Sequence, residues 1–344
     1  MPTPLTLAVL GATGAAGDQL LASLHGSPLV TGSVLAFGGP RRSPRADSVS
    51  WGPDSLPVHP IQALLSDGPL AKPDLVFSCL PAEIAVKLLP GLVARGMVVI
   101  DVGDAAAGTL AVPLVHPGTM KALPDAALAG RAVRTPSALG WVLSAVLAPL
   151  VGVGATSVSA SAVEGATRSG KAAAEELGQQ LLANFSGNEP PRRFFPDGLA
   201  FDVLAEDVPG DEWSGGERLA AEEAAELTGL AADWIAVTTC TAAMFQGVVV
   251  HAHVRGVTLD AAEDALAQAS RGPALRAALK SARLHPRAVS GKPGVTWGRL
   301  RADPGGDGVH LVAVGDNLAG AAGAVPLLVA DWLVAAGMFA GEIA

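Results

Sequence analysis

Near the start of the chain, Gly11-Ala-Thr-Gly14-Ala-Ala-Gly17 separates a short apolar run, Leu5-Thr-Leu-Ala-Val-Leu10, from a stretch at 18–24 whose apolar residues have helical spacing. A G-x-x-G-x-x-G turn between a strand and a helix lets the main chain approach a pyrophosphate, which then lies at the helix N-terminus. Gly11, Thr13, Gly14, Ala15, Ala16 and Gly17 are therefore candidate nucleotide-binding residues. A tight turn without a ligand is the plainer alternative. The turn's place, directly after the first strand, favours the nucleotide.

The end of the second expected strand, Ser33-Val-Leu-Ala-Phe37, bears on which nucleotide. An acidic side chain there would grip a ribose 2′-hydroxyl; the chain instead has Arg41, Arg42, Ser43 and Arg45. Guanidinium groups and a hydroxyl suit a 2′-phosphate, so the expected cofactor is NADP rather than NAD. A solvated basic loop is the alternative. Two further groups could do covalent chemistry, Cys79 at the end of a third strand and Cys240 in an apolar strand. Packing is the expected role of both.

These groups need a scaffold. Apolar strands 5–10, 33–37, 74–80 and 97–101 alternate with helical segments, which predicts a parallel sheet with right-handed crossovers. Beyond about residue 150 the alternation stops: strands at 156–163, 234–240 and 247–255 mix with helices at 171–185, 217–228 and 259–269. The fold class read from this is α/β, an N-terminal Rossmann-type dinucleotide-binding domain followed by an α+β domain. The expected division is 1–135, completed by a C-terminal helix within 316–344, and 136–315.

A chain of 344 residues with 50% hydrophobic and 16% charged residues has ample material for two cores. Its net charge of −9 argues against nucleic acid, which requires basic surface. The uncharged run 138–163 is long enough for a membrane span, but Pro149 and several glycines interrupt it. A buried helix at 139–147 followed by a buried strand is expected there. The apolar run 318–340, broken by Pro326 and Asp331, reads the same way. With no basic leader at the N-terminus and two dispersed cysteines, the expectation is a cytoplasmic protein.

The chain resembles the aspartate-semialdehyde dehydrogenase family along nearly its whole length. The segments that carry the resemblance are the glycine turn, Val76-Phe-Ser-Cys79, Val98-Val-Ile-Asp101, Val112-Pro-Leu-Val115, the run 195–202 and Gly315-Asp-Asn-Leu-Ala-Gly-Ala-Ala-Gly323. N-acetyl-glutamyl-phosphate reductases share part of this pattern. The run 195–202 and the helix beginning Gly170-Lys-Ala-Ala-Ala-Glu-Glu favour the semialdehyde branch of amino-acid biosynthesis. The resemblance implies a homodimer, and adds Cys79, Leu80 and Asn317 to the expected cofactor site. It also implies a reaction: a cysteine thiolate attacks an aldehyde, hydride passes to NADP, and phosphate releases an acyl phosphate. A histidine serves as acid and base, and cationic side chains bind the substrate anions.

The residues for that reaction are missing from the matching positions. The family's nucleophile turn corresponds to Thr135-Pro-Ser-Ala-Leu-Gly140, which puts Ala138 at the cysteine and Ser137 beside it. The family's histidine corresponds to Val248; His251 and His253 fall on the opposite strand face. The phosphate arginine corresponds to Ala107 and the substrate arginine to Thr241 or Ala242. In the helix near Glu223 the Glu-x-x-Lys pattern becomes Glu223-Ala-Ala-Glu226, so the glutamate stays and the lysine turns acidic. The glutamine on the strand before the cofactor loop corresponds to Ser161. Nucleophile, base and both cationic clamps are thus absent, which no phosphorylating dehydrogenase of this type tolerates.

Three readings follow. The first is a degenerate paralogue that keeps fold, dimer and NADP site without the parent reaction. The second is an NADP-dependent oxidoreductase acting on a small carbonyl or imine without a covalent thiol, in a pocket lined by Ala107, Ala138, Thr241 and Val248 with Glu223 as acid. The third uses Cys79 as a displaced nucleophile. No metal site is expected.

Overall fold

The computed structural model describes residues 4–39, 48–66, 70, 72–102, 112–120, 122–206, 213–279 and 282–339. The chain forms two compact units, one of residues 1–137 and 321–344 and the other of 138–320.

The first unit is built on a seven-stranded sheet. Its strands are β1 (Leu7–Leu10), β2 (Val34–Gly38), β3 (Ser48–Trp51), β4 (Asp54–Pro60), β5 (Leu75–Ser78), β6 (Val98–Asp101) and β7 (Ala132–Arg134). The spatial order is β3-β4-β2-β1-β5-β6-β7, with every pair parallel except the β3–β4 hairpin. From β4 onward this is the doubly wound order 3-2-1-4-5-6, whose direction reverses between β1 and β5. β1, β5 and β6 are buried at every residue, as expected of strands covered on both faces. One face packs on α1 (Ala15–Leu24) and α9 (Val325–Ala335), through Leu20, Leu21, Leu24, Val329 and Leu333. The other packs on α2 (Ala82–Ala94), through Leu88, Leu89 and Leu92. A short helix α3 (Asp125–Gly130) leads into β7.

The second unit carries a mixed sheet of β8 (Ser157–Glu164), β9 (Val203–Ala205), β10 (Ile235–Ala242), β11 (Val248–Arg255), β12 (Leu275–Ala277), β13 (Val295–Ala302) and β14 (Gly308–Gly315). The order is β12-β13-β14-β11-β8-β10-β9. Its helices are α4 (Ala138–Val151), α5 (Lys171–Ser186), α6 (Gly215–Thr228), α7 (Leu259–Ala269) and the single turn α8 (Pro286–Val289). Burial alternates along β8, β10 and β11. Val248, Val250, Ala252 and Val254 lie on the packed face of β11, while His251 and Arg255 are exposed on the other. The sheet is therefore covered on one face; its β8–β10 and β12–β13 pairs are parallel and its other pairs antiparallel.

Several elements differ from expectation. The hairpin β3–β4 and strands β7, β9, β12, β13 and β14 lack a strong period-2 apolar run, or are too short for one, and escape a pattern search. α4 passes through Pro149, which sits in its last turn; there the missing N–H costs one hydrogen bond near an end that frays anyway. The apolar segment Asn317–Ala335 has the length and hydropathy of a membrane span, yet over half of it is buried within the protein. α9 spends its apolar face on the first unit's core.

Candidate functional site

β1 and β5 are parallel neighbours, with Leu10 opposite Ser78. The chain leaves both strands at the same edge, where the Cys79 N–H donates to the Leu10 carbonyl at 3.0 Å. Gly11 has φ +74°, and a Cβ there would meet the Cys79 carbonyl oxygen at 2.5 Å. Only glycine combines that left-handed conformation with that approach. A Cβ on Gly17 would strike the Gly11 carbonyl oxygen, so the helix start is folded equally tightly against the turn. Gly14 is the N-cap of α1 and supplies no side-chain cap. The first-turn N–H groups around Ala15, Ala16 and Gly17 are therefore left to an external acceptor.

The arrangement fits a phosphate group. Amides converge at a helix start on the topological switch point, and no side chain larger than Thr13 occupies the turn. Thr13 lies beside the end of β2, its hydroxyl 3.8 Å from where a Cβ on Gly38 would sit. Cys79 and Leu80 follow β5 at the same edge. Arg41, Arg42, Ser43 and Arg45 lie outside the described residues, as does Ala107.

Cys79 is poorly suited to nucleophilic work. Burial, reinforced by the Asp101 carboxylate, pushes its thiol up to about 12. The Cys240 thiol is also raised, first by burial and then by Glu164 and Glu206, and it donates to the Ala162 carbonyl at 3.5 Å. Neither environment favours a thiolate at neutral pH.

In the second unit, Ala138 opens α4 and the fully buried Val248 opens β11. Thr241 is buried on β10, and Ala242 ends that strand. Glu223 is fully buried on α6, whose start is fixed by a capping box between Ser214 and Glu217. The register sets which residues of β8 neighbour these positions. Ser161 pairs with His251 and Thr238, whereas the β8 residue opposite both Val248 and Thr241 is Glu164. Glu164 is three residues further on, so it projects from the other face of the strand.

Glu164 is buried and accepts the Thr239 hydroxyl at 3.2 Å. It also pairs with the Arg168 Nε at 2.9 Å, and the Arg168 Nη1 reaches Glu206 at 2.6 Å. The Glu217 carboxylate accepts the Thr239 N–H at 2.9 Å. Carboxylates thus gather around the ends of β8 and β10, and the one guanidinium among these contacts is neutralised on both sides. A charged pair spaced i, i+4 straight after an uncharged strand is the signal in the sequence that marks Glu164 and Arg168.

Asn317 is already engaged within this unit. Its Oδ1 accepts the Gly247 N–H at 2.7 Å, and its Nδ2 donates to the Thr167 hydroxyl at 3.0 Å. Asp316 beside it caps the following π-helical segment, Asn317–Ala324, by accepting the N–H groups of Leu318 and Ala319. Gly315 and Gly320 lie against the Trp141 ring, where any side chain would collide. The glycines of this motif therefore answer to a buried tryptophan.

Together, the doubly wound sheet, its glycine turn and the half-covered second sheet define a two-domain nucleotide-binding protein of the dehydrogenase type. Residues 6–122 match the semialdehyde dehydrogenase NAD-binding domain, and residues 147–319 match the semialdehyde dehydrogenase dimerisation domain. The chain belongs to the semialdehyde dehydrogenase family. A curated aspartate-semialdehyde dehydrogenase from Synechocystis is 24% identical, with 98% of this chain and 99% of the relative covered. One from Rickettsia bellii is 23% identical over 97% and 99%. Among solved structures, aspartate semialdehyde dehydrogenase II of Vibrio cholerae, complexed with ASA, superimposes with a TM-score of 0.84 at 20% identity, covering 97% of this chain and 99% of that one. The aspartate semialdehyde dehydrogenase of Candida albicans with NADP gives 0.71 at 18% identity, over 98% and 100%.

Proposed function

We propose that this chain is a cofactor-binding, self-associating member of the semialdehyde dehydrogenase family that does not run the phosphorylating dehydrogenation of aspartate semialdehyde. The observation that carries the proposal is the chemistry of its two thiols. Neither occupies the position the resemblance assigns to the nucleophile, where Ala138 stands, and both are held away from ionisation. Val248 offers no proton acceptor where a base belongs. The carboxylates near Thr241 oppose a substrate carrying carboxylate or phosphate.

NADP is the proposed cofactor, at the turn 11–17 with Cys79 and Leu80. Arg41, Arg42 and Ser43 would complete the adenosine end. Bound there, NADP supplies a hydride acceptor; the chain's contribution is amides for the pyrophosphate and a glycine turn that admits it. Self-association as a homodimer has support in the matched dimerisation domain and in the exposed Leu182, Phe185, Phe201 and Val203. An oxidoreductase without a thiol intermediate would rest on Glu223 as acid, and its full burial weighs against that second reading.

The test is a turnover assay with aspartate semialdehyde, phosphate and NADP, run beside NADPH binding by fluorescence. Binding without turnover is the expected result. In Ala138→Cys with Val248→His, turnover stays absent because no cation is restored near Ala107 or Thr241. Activity in that double variant would refute the proposed positions of the anion clamps.

A further inference from the structure

On the face of the second sheet opposite its helices, β11 and β14 place His253 directly across from His310. Their rings stack with centroids 4.4 Å apart and planes 8° from parallel. The turn after β13 lays Asp303 over both rings. Its backbone is fixed by hydrogen bonds from its own N–H to the Gly308 carbonyl and from the Gly306 N–H to its carbonyl. The two carboxylate oxygens are divided between the rings, Oδ1 at 3.2 Å from the His310 Nε2 and Oδ2 at 3.6 Å from the His253 Nε2.

We propose that His253, Asp303 and His310 form a binding site for a divalent transition-metal ion, with Zn²⁺ the best match. Two imidazoles and a carboxylate are one of the donor sets zinc takes when three protein ligands leave a fourth position open. With metal–ligand bonds of about 2.0–2.1 Å, tetrahedral ligands stand roughly 3.3–3.4 Å apart, which falls between the 3.2 Å and 3.6 Å contacts to Asp303. One ligand atom from each of the three residues lies within 4.8 Å of the others, so small side-chain rotations bring all three onto one ion.

A second observation points the same way. The His253 Nε2 is shut off from solvent and has no hydrogen-bond partner. At 3.6 Å from Asp303 it is beyond hydrogen-bond reach. A bound ion satisfies both nitrogens at once. Beside the cluster is a cavity of 370 Å³, lined also by Ser159, Ser161, Thr238, His251 and Arg301. It has room for a water as fourth ligand. Among the described residues, Asp303 forms ion pairs with the two histidines alone, so Arg301 does not hold the carboxylate.

The experiment titrates Zn²⁺ into chelator-treated, dialysed full-length protein by calorimetry. The expected result is one ion per chain. His253→Asn, His310→Asn and Asp303→Asn should each weaken binding roughly tenfold or more. His59→Ala, in the first unit, should leave it unchanged. Asparagine at 253 or 310 keeps a polar group on Asp303, and the metal-free melting temperature of each variant reports its folding. Co²⁺ in place of Zn²⁺ gives a visible absorption band that depends on the same three residues. A stoichiometry well below one, or equal affinity in folded His253→Asn and His310→Asn, overturns the proposal and leaves a proton-shared histidine–aspartate pair.

Discussion

The proposed loss of the family's chemistry rests on a methyl group at Ala138 and an isopropyl group at Val248, the positions that the resemblance assigns to nucleophile and base. Cys79 does not compensate. With its thiol raised to about 12, roughly one molecule in 10⁵ carries a thiolate at pH 7. Alkylation of Cys79 in the folded protein should therefore be at least a hundredfold slower at pH 7 than in denatured chain, as read by mass spectrometry. Comparable rates would revive Cys79 as a nucleophile. His116 makes a second residue-scale prediction. It is fully buried, its Nδ1 3.2 Å from the Thr119 hydroxyl, and desolvation lowers it from 6.5 to about 4. Above pH 6.5 the ring is neutral folded or unfolded and contributes no pH dependence. Below that, the unfolded chain takes up a proton the native state refuses, so stability falls on acidification until about pH 4. The difference is about 2.5 kcal/mol at pH 4.5. Urea unfolding of His116→Gln at pH 7.5 and 4.5 should show a pH difference smaller by that amount; an unchanged difference would place the acid sensitivity elsewhere.

At the scale of elements, α5 acts as a spine for the loop that follows it. Glu176 and Gln180 are buried one turn apart. The Glu176 carboxylate accepts the N–H groups of Arg193, Phe194 and Phe195, and the Gln180 Oε1 accepts those of Leu199 and Ala200. Five main-chain donors thus find acceptors on two side chains, and the run 195–202 takes its shape from them. Glu176→Ala would leave three donors unpaired and cost about 3 kcal/mol or more. It would also open the chain near residue 195 to protease. A loss under about 1 kcal/mol in chemical denaturation would show that water replaces the carboxylate.

For the whole molecule, the two sheets solve different burial problems. The parallel sheet is covered on both faces and reads as continuous apolar runs; the mixed sheet is covered on one and reads as alternation. The first arrangement sets the glycine turn at one edge of the sheet, and the second leaves a polar face holding the histidine cluster. Binding of NADPH to the folded chain should stabilise it by about 2.7 kcal/mol at a hundred times its dissociation constant. NADH at the same concentration should stabilise it less, because Arg41 and Arg42 have no 2′-phosphate to meet. Equal shifts in melting temperature would overturn the NADP preference.

The sequence alone determined the alternation that makes the first unit doubly wound and the glycine turn at residue 11, because strand period and turn chemistry are local properties. The proposal that alanine and valine stand at the family's reacting positions rests on the sequence as well. Tertiary structure alone decided that Glu164 lies opposite both Val248 and Thr241, because register is a relation between strands and one shifted position changes the face. Only packing shows that Gly315 and Gly320 make room for Trp141. Likewise, Asp303 meets two histidines through a turn and a cross-strand pair that no local pattern announces. The glycine turn with which the chain begins is legible in one dimension; the groups that surround its partner unit acquire their chemistry only in three.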